Sequence, residues 1–518
     1  MYLTEILPRA AAAYPNKVAV VCGQIKLNYR EVADRVGRLA YTLTGLGVGP
    51  GERIALLHSN CHRSLEAYFA AAHAGAVLVP LNCRLTARDL AYIIDDTESR
   101  VLFADATWGK LATEAATQAH TRCTLVWSPS GDENRRGPSS LDYETSLLTA
   151  GSHPLGEPRV KEDDPANIYY TSGTTGHQKG VVLTHRNIYS HALATIADLR
   201  LSDSDIWAHV APMFHLADAW ATWAMTWVGA RHVMLGRFDA KLVLQTLVEQ
   251  GVTVTNLIPT MLNDLINTPQ AICSKYPSLR LLMTGGAPIA PKLVRRVVET
   301  FGCEYVQTYG LTETSPYLTF SLLKENLRNL PPDEQMRYRS MTGRAALGVT
   351  LRVVDDAGRD IPADGQAVGE IVARGDRITP GYWRLQEVTA EAFRDGWFHT
   401  GDLATIDEEG YINIVDRKKD IILTGGEIVY STEIENALYE HPAVLEAAVV
   451  GVPDERWGET IRAVVVVKPG WSMTVDDITV HCQERLARYK CPRSVKFVKA
   501  LPRTGSGKIS KREIRQRY

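Results

Sequence analysis

Residues 168–185, IYYTSGTTGHQKGVVLTH, set out in order an apolar run, a loop dense in hydroxyls and glycine, one lysine, and a second apolar run. Seven of the nine residues from 171 to 179 are Thr, Ser, Gly or Lys, so the loop offers backbone N–H groups, hydroxyls and an ammonium, all hydrogen-bond donors. Glycines let successive N–H groups converge on one point and Lys179 adds a fixed charge, the combination that cradles phosphate. Thr171, Ser172, Gly173, Thr174, Thr175, Gly176 and Lys179 are therefore candidate phosphate ligands. A flexible linker is the alternative, but linkers are seldom clasped between β-branched runs such as 168–170 and 181–183. The spacing is not G-x-x-x-x-G-K-[ST], so a P-loop is excluded.

The elements that must hold this loop can be read from periodicity. VAVVC (18–22), RIALLH (53–58), AVLVPL (76–81) and RVLFAD (100–105) read as buried strands. Between them Val32, Val36, Leu39 and Leu43 recur at helical spacing, and Thr86 is suited to cap a helix over 86–98. Residues 106–165 carry little pattern, apart from a surface loop at 131–140. Strands return at 205–212, 231–235, 252–259, 279–286 and 304–310, with helices between, which predicts parallel sheets faced by helices. Ligands of such sheets sit beyond the carboxyl ends of strands, so TGGAP (284–288) and TYGLTE (308–313) join the first loop as candidates for one cleft. From about 341 to 415 short β segments broken by Gly, Asp and Pro predict a small antiparallel barrel or meander. Past DRKKD (416–420) comes a compact α+β unit: a helix over 432–439 with Thr432 and Glu435 in capping-box spacing, strands at 447–452, 463–468 and 494–498, and a helix over 475–489.

Bulk properties exclude several classes of function. The 518 residues exceed a single core, so two or more domains are expected. A net charge of −2 gives no general attraction to nucleic acid or anionic lipid. The eight cysteines are scattered with no C-x-x-C pair, which argues against zinc and disulfides and for a reducing cytosol. The N-terminus is not patterned as a secretory signal. The longest apolar run, 216–230, is too short to span a bilayer and carries Asp218, so no transmembrane segment is expected.

The stretch YYTSGTTGHQKGVVLTHRN resembles the nucleotide-binding loop of the adenylate-forming superfamily, which comprises acyl-CoA synthetases, adenylation domains of peptide synthetases and beetle luciferases. Gln178 stands where the family usually has proline, a change that removes no donor. Further family-like motifs follow in the family's order along essentially the whole chain. The resemblance implies that the 171–179 loop, Gly286, Ala287, Tyr309, Gly310, Thr312, Asp402 and Arg417 bind ATP and AMP. Tyr309 would pack on the adenine, Thr312 meet phosphate and Glu313 hold Mg²⁺, an ion that takes one or two carboxylates plus phosphate oxygens. Asp402, in WFHTGD, and Arg417, in VDRKKD, would bind the ribose hydroxyls. His215 (in PMFH), Ala219, Trp220, Gly285 and Thr308 would line an acyl pocket, and the absence of an obvious Lys or Arg there points to an apolar acid. Gly425, Gly426 and Glu427 resemble the loop that serves the thiol step, with Ile428 where the family commonly has Asn. Lys508, in PRTGSGKISK, matches the family's catalytic lysine, with Thr312 and Glu313 as its catalytic company. An acid attacking the α-phosphorus of ATP is anion meeting anion, and such a transition state needs a cation that arrives in place.

These readings give an N-terminal domain over 1–416, built of stacked α/β sheets plus a small β-barrel, a hinge over 417–420 about Lys419, and a small mobile α+β domain over 421–518. The function expected is an ATP- and Mg²⁺-dependent acid–thiol ligase, with coenzyme A as cosubstrate and a medium- or long-chain fatty or other hydrophobic acid as substrate. A ligase loading a free acyl carrier protein and an aryl- or polycyclic-acid CoA ligase are the alternatives. A luciferase-like oxygenase and a non-catalytic nucleotide sensor are more distant ones, separable by oxygen uptake and pyrophosphate release. Cytoplasmic location and no nucleic-acid partner complete the expectations; the oligomeric state is left open, with a homodimer among the options.

Overall fold

The computed structural model describes residues 2–128, 140–151, 160–172, 178–287, 289, 291–503 and 509–518, with the backbone alone for Ser172, Ile272 and Cys273. Among these residues the strands form two large and two small sheets. The nine-stranded sheet runs Arg344–Ala345, Tyr317–Phe320, Glu304–Gly310, Leu281–Thr284, Val254–Leu257, Ile206–His209, Arg231–Met234, Val18–Cys22, Ile25–Asn28. It is parallel from Glu304–Gly310 to Val18–Cys22 and antiparallel at both margins. The eight-stranded sheet places Gly381–Tyr382 and Gln178–Thr184 beside Pro165–Ser172, followed by the parallel strands Val77–Pro80, Arg53–Leu57, Val101–Asp105, Thr124–Ser128 and Ser140–Asp142. Parallel strands buried on both faces need uninterrupted apolar runs, and 54–57 and 101–104 supply them.

Helices Tyr29–Gly45, His62–Ala74, His185–Leu199 and Leu216–Trp227 contribute to one core that also takes side chains from both large sheets, among them Ile54, Leu78, Trp207 and Met283. Their ends are set by local chemistry. Asn28 and Glu31 form a reciprocal cap on the first, and Thr86 with Asp89 does the same for Ala87–Thr97. Glu66, fully buried on His62–Ala74, is neutralised by Arg35 Nε at 2.7 Å and accepts the Tyr143 hydroxyl at 2.7 Å. Arg35 also reaches Glu144 at 2.8 Å, which ties three helices together.

The third sheet, Thr350–Val354, Gly369–Arg374, Trp397–Ile406, Phe393–Arg394 and Ile412–Arg417, is the expected small antiparallel unit. The fourth, in the C-terminal part, is Glu427–Val429, Ile422–Thr424, Gly458–Val467, Val444–Asp454 and Ser494–Phe497. Two expectations there need correction. The capping box of Thr432 and Glu435 does not form: the helix begins at Ser431, whose N–H and hydroxyl both donate to Asp416 Oδ2, at 2.5 and 2.6 Å. A carboxylate fifteen residues upstream thus does the capping, and Glu435 is turned to the Val449 N–H and to Lys511, each at 2.8 Å. The helix expected over 475–489 stops at Gln483, and a separate 3₁₀ turn covers Arg488–Lys490. The described residues of the 106–165 region, little patterned in the sequence, include helices Gly109–Gln118 and Tyr143–Thr149 and strands Thr124–Ser128 and Ser140–Asp142. The loop expected at 131–140 lies outside the described residues except for its last residue, Ser140.

Removing one partner of a buried ion pair strands the other charge, so Glu66→Ala should cost about 3–5 kcal/mol. Urea unfolding of the variant beside the wild type measures this. A loss below about 1 kcal/mol, the range of exposed pairs, would refute the assigned role.

Candidate functional site

The hairpin of Pro165–Ser172 and Gln178–Thr184 sets Thr171 opposite Lys179. The residues between its strands, including Gly173, Thr174, Thr175 and Gly176, lie outside the described residues, as does Lys508. Beside Gln178–Thr184 runs the two-residue strand Gly381–Tyr382, and this pairing brings in a residue that the sequence did not single out. The Tyr382 ring lies under Lys179, with Nζ 5.7 Å from its centroid, and its hydroxyl donates to Glu313 Oε1 at 2.8 Å. Tyr382 therefore joins the ammonium of the hairpin to the carboxylate expected to hold a cation. Its only signal in the sequence is the aromatic pair in PGYW, 380–383.

Glu313 is buried within the 3₁₀ turn Thr312–Thr314, and its carbonyl accepts the Thr379 N–H at 2.8 Å. That turn follows the edge of Glu304–Gly310, where Gly310 has a steric reason. A Cβ built on it would stand 1.8 Å from the Pro316 carbonyl oxygen, so no other residue fits. Gly285 is similar, since its Cβ would meet Thr308 Oγ1 at 2.3 Å. Thr308 Oγ1 donates to the Thr284 carbonyl at 3.0 Å, which locks the two strand ends together. Gly286 and Ala287 follow, exposed.

A second group meets at Asp402, which is 4% exposed. The Tyr309 hydroxyl donates to its Oδ2 at 2.7 Å, and Arg417 Nε reaches Oδ1 at 3.1 Å. Asp402 and Arg417 face each other across antiparallel strands Trp397–Ile406 and Ile412–Arg417. Burial and the Asp402 charge push the Tyr309 phenol far up, so it stays a donor. The Arg417 side chain is 47% exposed; desolvation lowers its value, but Asp402, then Tyr309, Asp420 and Glu313, outweigh that and raise it. Lys179, Tyr382 and Glu313 thus form one connected group and Tyr309, Asp402 and Arg417 another, and the short run from Tyr309 to Glu313 joins the two along the chain.

The acyl-pocket candidates lie on the next layer. Ala219 and Trp220 are buried on Leu216–Trp227, with His215 at its N-cap. Trp220 meets Trp207, Tyr317 and His191 edge-on, with centroids 5.0, 5.5 and 5.8 Å away. The helix start is fixed by the Ala217 carbonyl, which accepts from Asn256 Nδ2 at 2.8 Å and from the Tyr317 hydroxyl at 3.2 Å. Behind it Asp218, fully buried, holds His209 Nδ1 at 2.5 Å. His209 Nε2 meets His232 Nδ1 at 2.9 Å, and His232 Nε2 meets Thr226 Oγ1 at 3.0 Å. Segment 209–213 leading into His215 is pinned by Asn60. Its Nδ2 donates to the carbonyls of His209 and Ala211, at 3.1 and 2.8 Å, and its Oδ1 accepts the Met213 N–H at 2.8 Å.

The remaining candidates stand apart. Lys419 is exposed between Arg417 and Asp420, and Asp420 pairs with Arg515 at 3.0 Å. Gly425, Gly426 and Glu427 form the exposed turn between Ile422–Thr424 and Glu427–Val429, where the Gly425 N–H donates to the Trp457 carbonyl at 2.9 Å. As a donor set, Glu313 supplies the single carboxylate that Mg²⁺ needs when phosphate oxygens complete its shell. Among the described residues no helix is long and apolar enough to cross a membrane.

Comparison with known proteins identifies the family. Residues 7–383 match the family model described as AMP-binding enzyme, and 433–508 match the AMP-binding enzyme C-terminal domain. The chain is 38% identical to a long-chain-fatty-acid–CoA ligase of Thermus thermophilus, over 100% of this chain and 95% of the relative. It is 36% identical to a feruloyl-CoA synthase of an Amycolatopsis species, over 98% of each. ATP-bound MatB from Rhodopseudomonas palustris superposes with a TM-score of 0.86 at 31% identity, covering 100% of this chain and 99% of that one. Matched over most of its length by this family model and by these relatives, the chain belongs to the AMP-binding enzyme family of the adenylate-forming superfamily.

Proposed function

We propose that this protein is an AMP-forming acyl-CoA ligase acting on a medium- or long-chain fatty acid or another hydrophobic carboxylic acid. The observation that carries the reading is a pair of clusters, Lys179–Tyr382–Glu313 and Tyr309–Asp402–Arg417, joined by the short run of chain from Tyr309 to Glu313. One group suits a polyphosphate and the other a nucleoside. Each carboxylate oxygen of Asp402 has one donor and room for another, so ribose hydroxyls can be accepted without breaking the Tyr309 bond. Lys179 and the hairpin would hold the phosphates, with Thr312 beside them. Glu313 would be the protein ligand of Mg²⁺, whose charge, when bound, offsets that of the phosphates.

The acid's carboxylate attacks the α-phosphorus of ATP. A P–O bond forms, the bond to pyrophosphate breaks, and an acyl-AMP remains. The thiolate of coenzyme A then attacks the acyl carbon, and AMP leaves. The first step needs a cation at the α-phosphate, the role we give to Lys508. The second needs a thiol approach, which we assign to Gly425, Gly426 and Glu427. Two neighbourhoods for one carbonyl call for a domain swing, so we divide the chain into 1–416, a hinge at 417–420 pivoting at Lys419, and 421–518. The apolar lining around His215, Ala219, Trp220, Gly285 and Thr308 supports a hydrophobic acid, and we place the enzyme in the cytoplasm.

Pyrophosphate release across fatty, aryl and polycyclic acids, followed by thioester formation with coenzyme A or with a phosphopantetheinylated carrier, tests the assignment. Release with medium- or long-chain fatty acids and transfer to coenzyme A is the expected result. Preference for aryl acids or for the carrier would move the assignment to those classes, and no release with any acid would end it. Lys508→Ala should lower acyl-AMP formation by about 10²–10³-fold, the cost of one transition-state donor, while sparing thioester formation from supplied acyl-AMP. Equal loss of both half-reactions would refute the division of labour.

A further inference from the structure

The turn after Arg53–Leu57 carries a second constellation that the ligase chemistry does not use. Cys61 is the N-cap residue of His62–Ala74 and is partly exposed. Its Sγ lies 3.4 Å from His58 Nδ1 and 3.7 Å from Ser64 Oγ. His58, 6% exposed, is held from its other side by Ser128 Oγ, 2.7 Å from Nε2. Asp105 Oδ2 stands 3.7 Å from Nδ1 and is itself fixed by the Ser59 N–H at 2.7 Å. A nucleophile beside a base that a third group orients is the arrangement that activates thiols, and a helix N-terminus favours the thiolate further.

The charges agree with the geometry. Burial pushes the Cys61 thiol up, but the charge and hydrogen bond of His58, with Ser64, outweigh it and bring the thiol below its ordinary value. Burial lowers the His58 imidazole, but Cys61 and then Asp105 outweigh it and raise its value, with Arg63 opposing. The neighbouring thiols run the other way. Cys22 is raised by burial and by Cys61, and Cys83, buried with Sγ 3.7 Å from the His58 carbonyl, is raised by burial and by Asp105.

We propose that Cys61 is a peroxide-reactive thiol activated by His58, and that its oxidation loosens the adjoining Asn60 clamp on segment 209–213. The thiol proton passes to His58 and the thiolate attacks one oxygen of hydrogen peroxide. The S–O bond forms as the O–O bond breaks, sulfur is oxidised to sulfenic acid, and the departing hydroxide takes the proton from His58 and leaves as water. The coupling follows from chain adjacency, because Asn60 makes three hydrogen bonds to the stretch leading into His215. Its effect on activity rests on the ligase reading; the oxidation itself does not.

Full-length protein exposed to hydrogen peroxide with dimedone, followed by peptide mass spectrometry, tests the thiol. Dimedone is expected on Cys61 well ahead of Cys22 and Cys303. His58→Gln should slow labelling at pH 7 by at least about tenfold, the lower range of a positioned base. Cys61→Ser should abolish that label and, serine being a favoured N-cap, keep the fold. If the His58 variant does not fold, iodoacetamide alkylation of the wild type decides instead: the Cys61 rate should level off below the ordinary thiol value of about 8.5. Absence of label on Cys61 while other thiols react, or a rate that climbs through about 8.5, would overturn the proposal. Peroxide should also lower pyrophosphate release by the wild type and not by Cys61→Ser. Complete sulfenylation without such a loss would overturn the coupling to Asn60, whatever the fate of the ligase reading.

Discussion

The carboxylate of Asp402 is the joint on which the site depends. Almost withdrawn from water, it must be paired to be tolerated, and its partners come from two other places in the chain: Tyr309 at the end of a strand of the nine-stranded sheet and Arg417 on the last strand before the C-terminal part. The small antiparallel sheet sets the meeting through its register. Asp402 faces Arg417 because the strands pair as they do, and a slip by one residue would send Arg417 to the opposite face. The Tyr309 contact then fastens that sheet to the strand ends where Thr308, Gly310 and the Glu313 turn lie. Cleft, small sheet and chain exit are consequently joined at a polar point, set beside the apolar packing of Leu318 and Tyr309 on Ala373 and Phe398.

Much of this could be read from residue order. Short apolar runs located the strands around 18–22, 53–57 and 101–105, and helical spacing located the helix carrying Val32, Val36, Leu39 and Leu43, all of which are largely buried. The clasp of 165–172 against 178–184 was visible because two apolar runs flank a run of donors. Tyr382 was not visible, because its partners Lys179 and Glu313 are 203 and 69 residues away and its strand is two residues long, too short for any periodicity. The start of the 431–439 helix was misread for the same reason. A local capping pair was on the page, whereas the carboxylate that wins, Asp416, becomes a neighbour only after the chain has folded. Signals within one turn or strand survive in the sequence; those made by tertiary contact do not.

Asp218 shows how a single feature can be read correctly and still be half understood. Its charge was enough to argue that 216–230 does not cross a bilayer. The folded chain adds why a charge sits in so apolar a helix: with His209, His232 and Thr226 it forms an unbroken hydrogen-bonded row behind the helix that carries Ala219 and Trp220. Such a row fixes the helix in one position, because any shift would leave a buried polar group without its partner. Rigidity behind the helix and a pinned entry at Asn60 together leave the facing side chains little freedom to drift.

The bond pair from Ser431 to Asp416 has a further meaning. It spans the four residues 417–420, and Lys511 of the last helix adds its own donor to the Ser431 hydroxyl at 2.5 Å. In the proposed swivel within those four residues this clip would have to unfasten first, so the waiting time between poses would be set at Ser431 and Asp416. Tempo and chemistry could then drift independently in evolution, one governed by the clip and the other by the cleft.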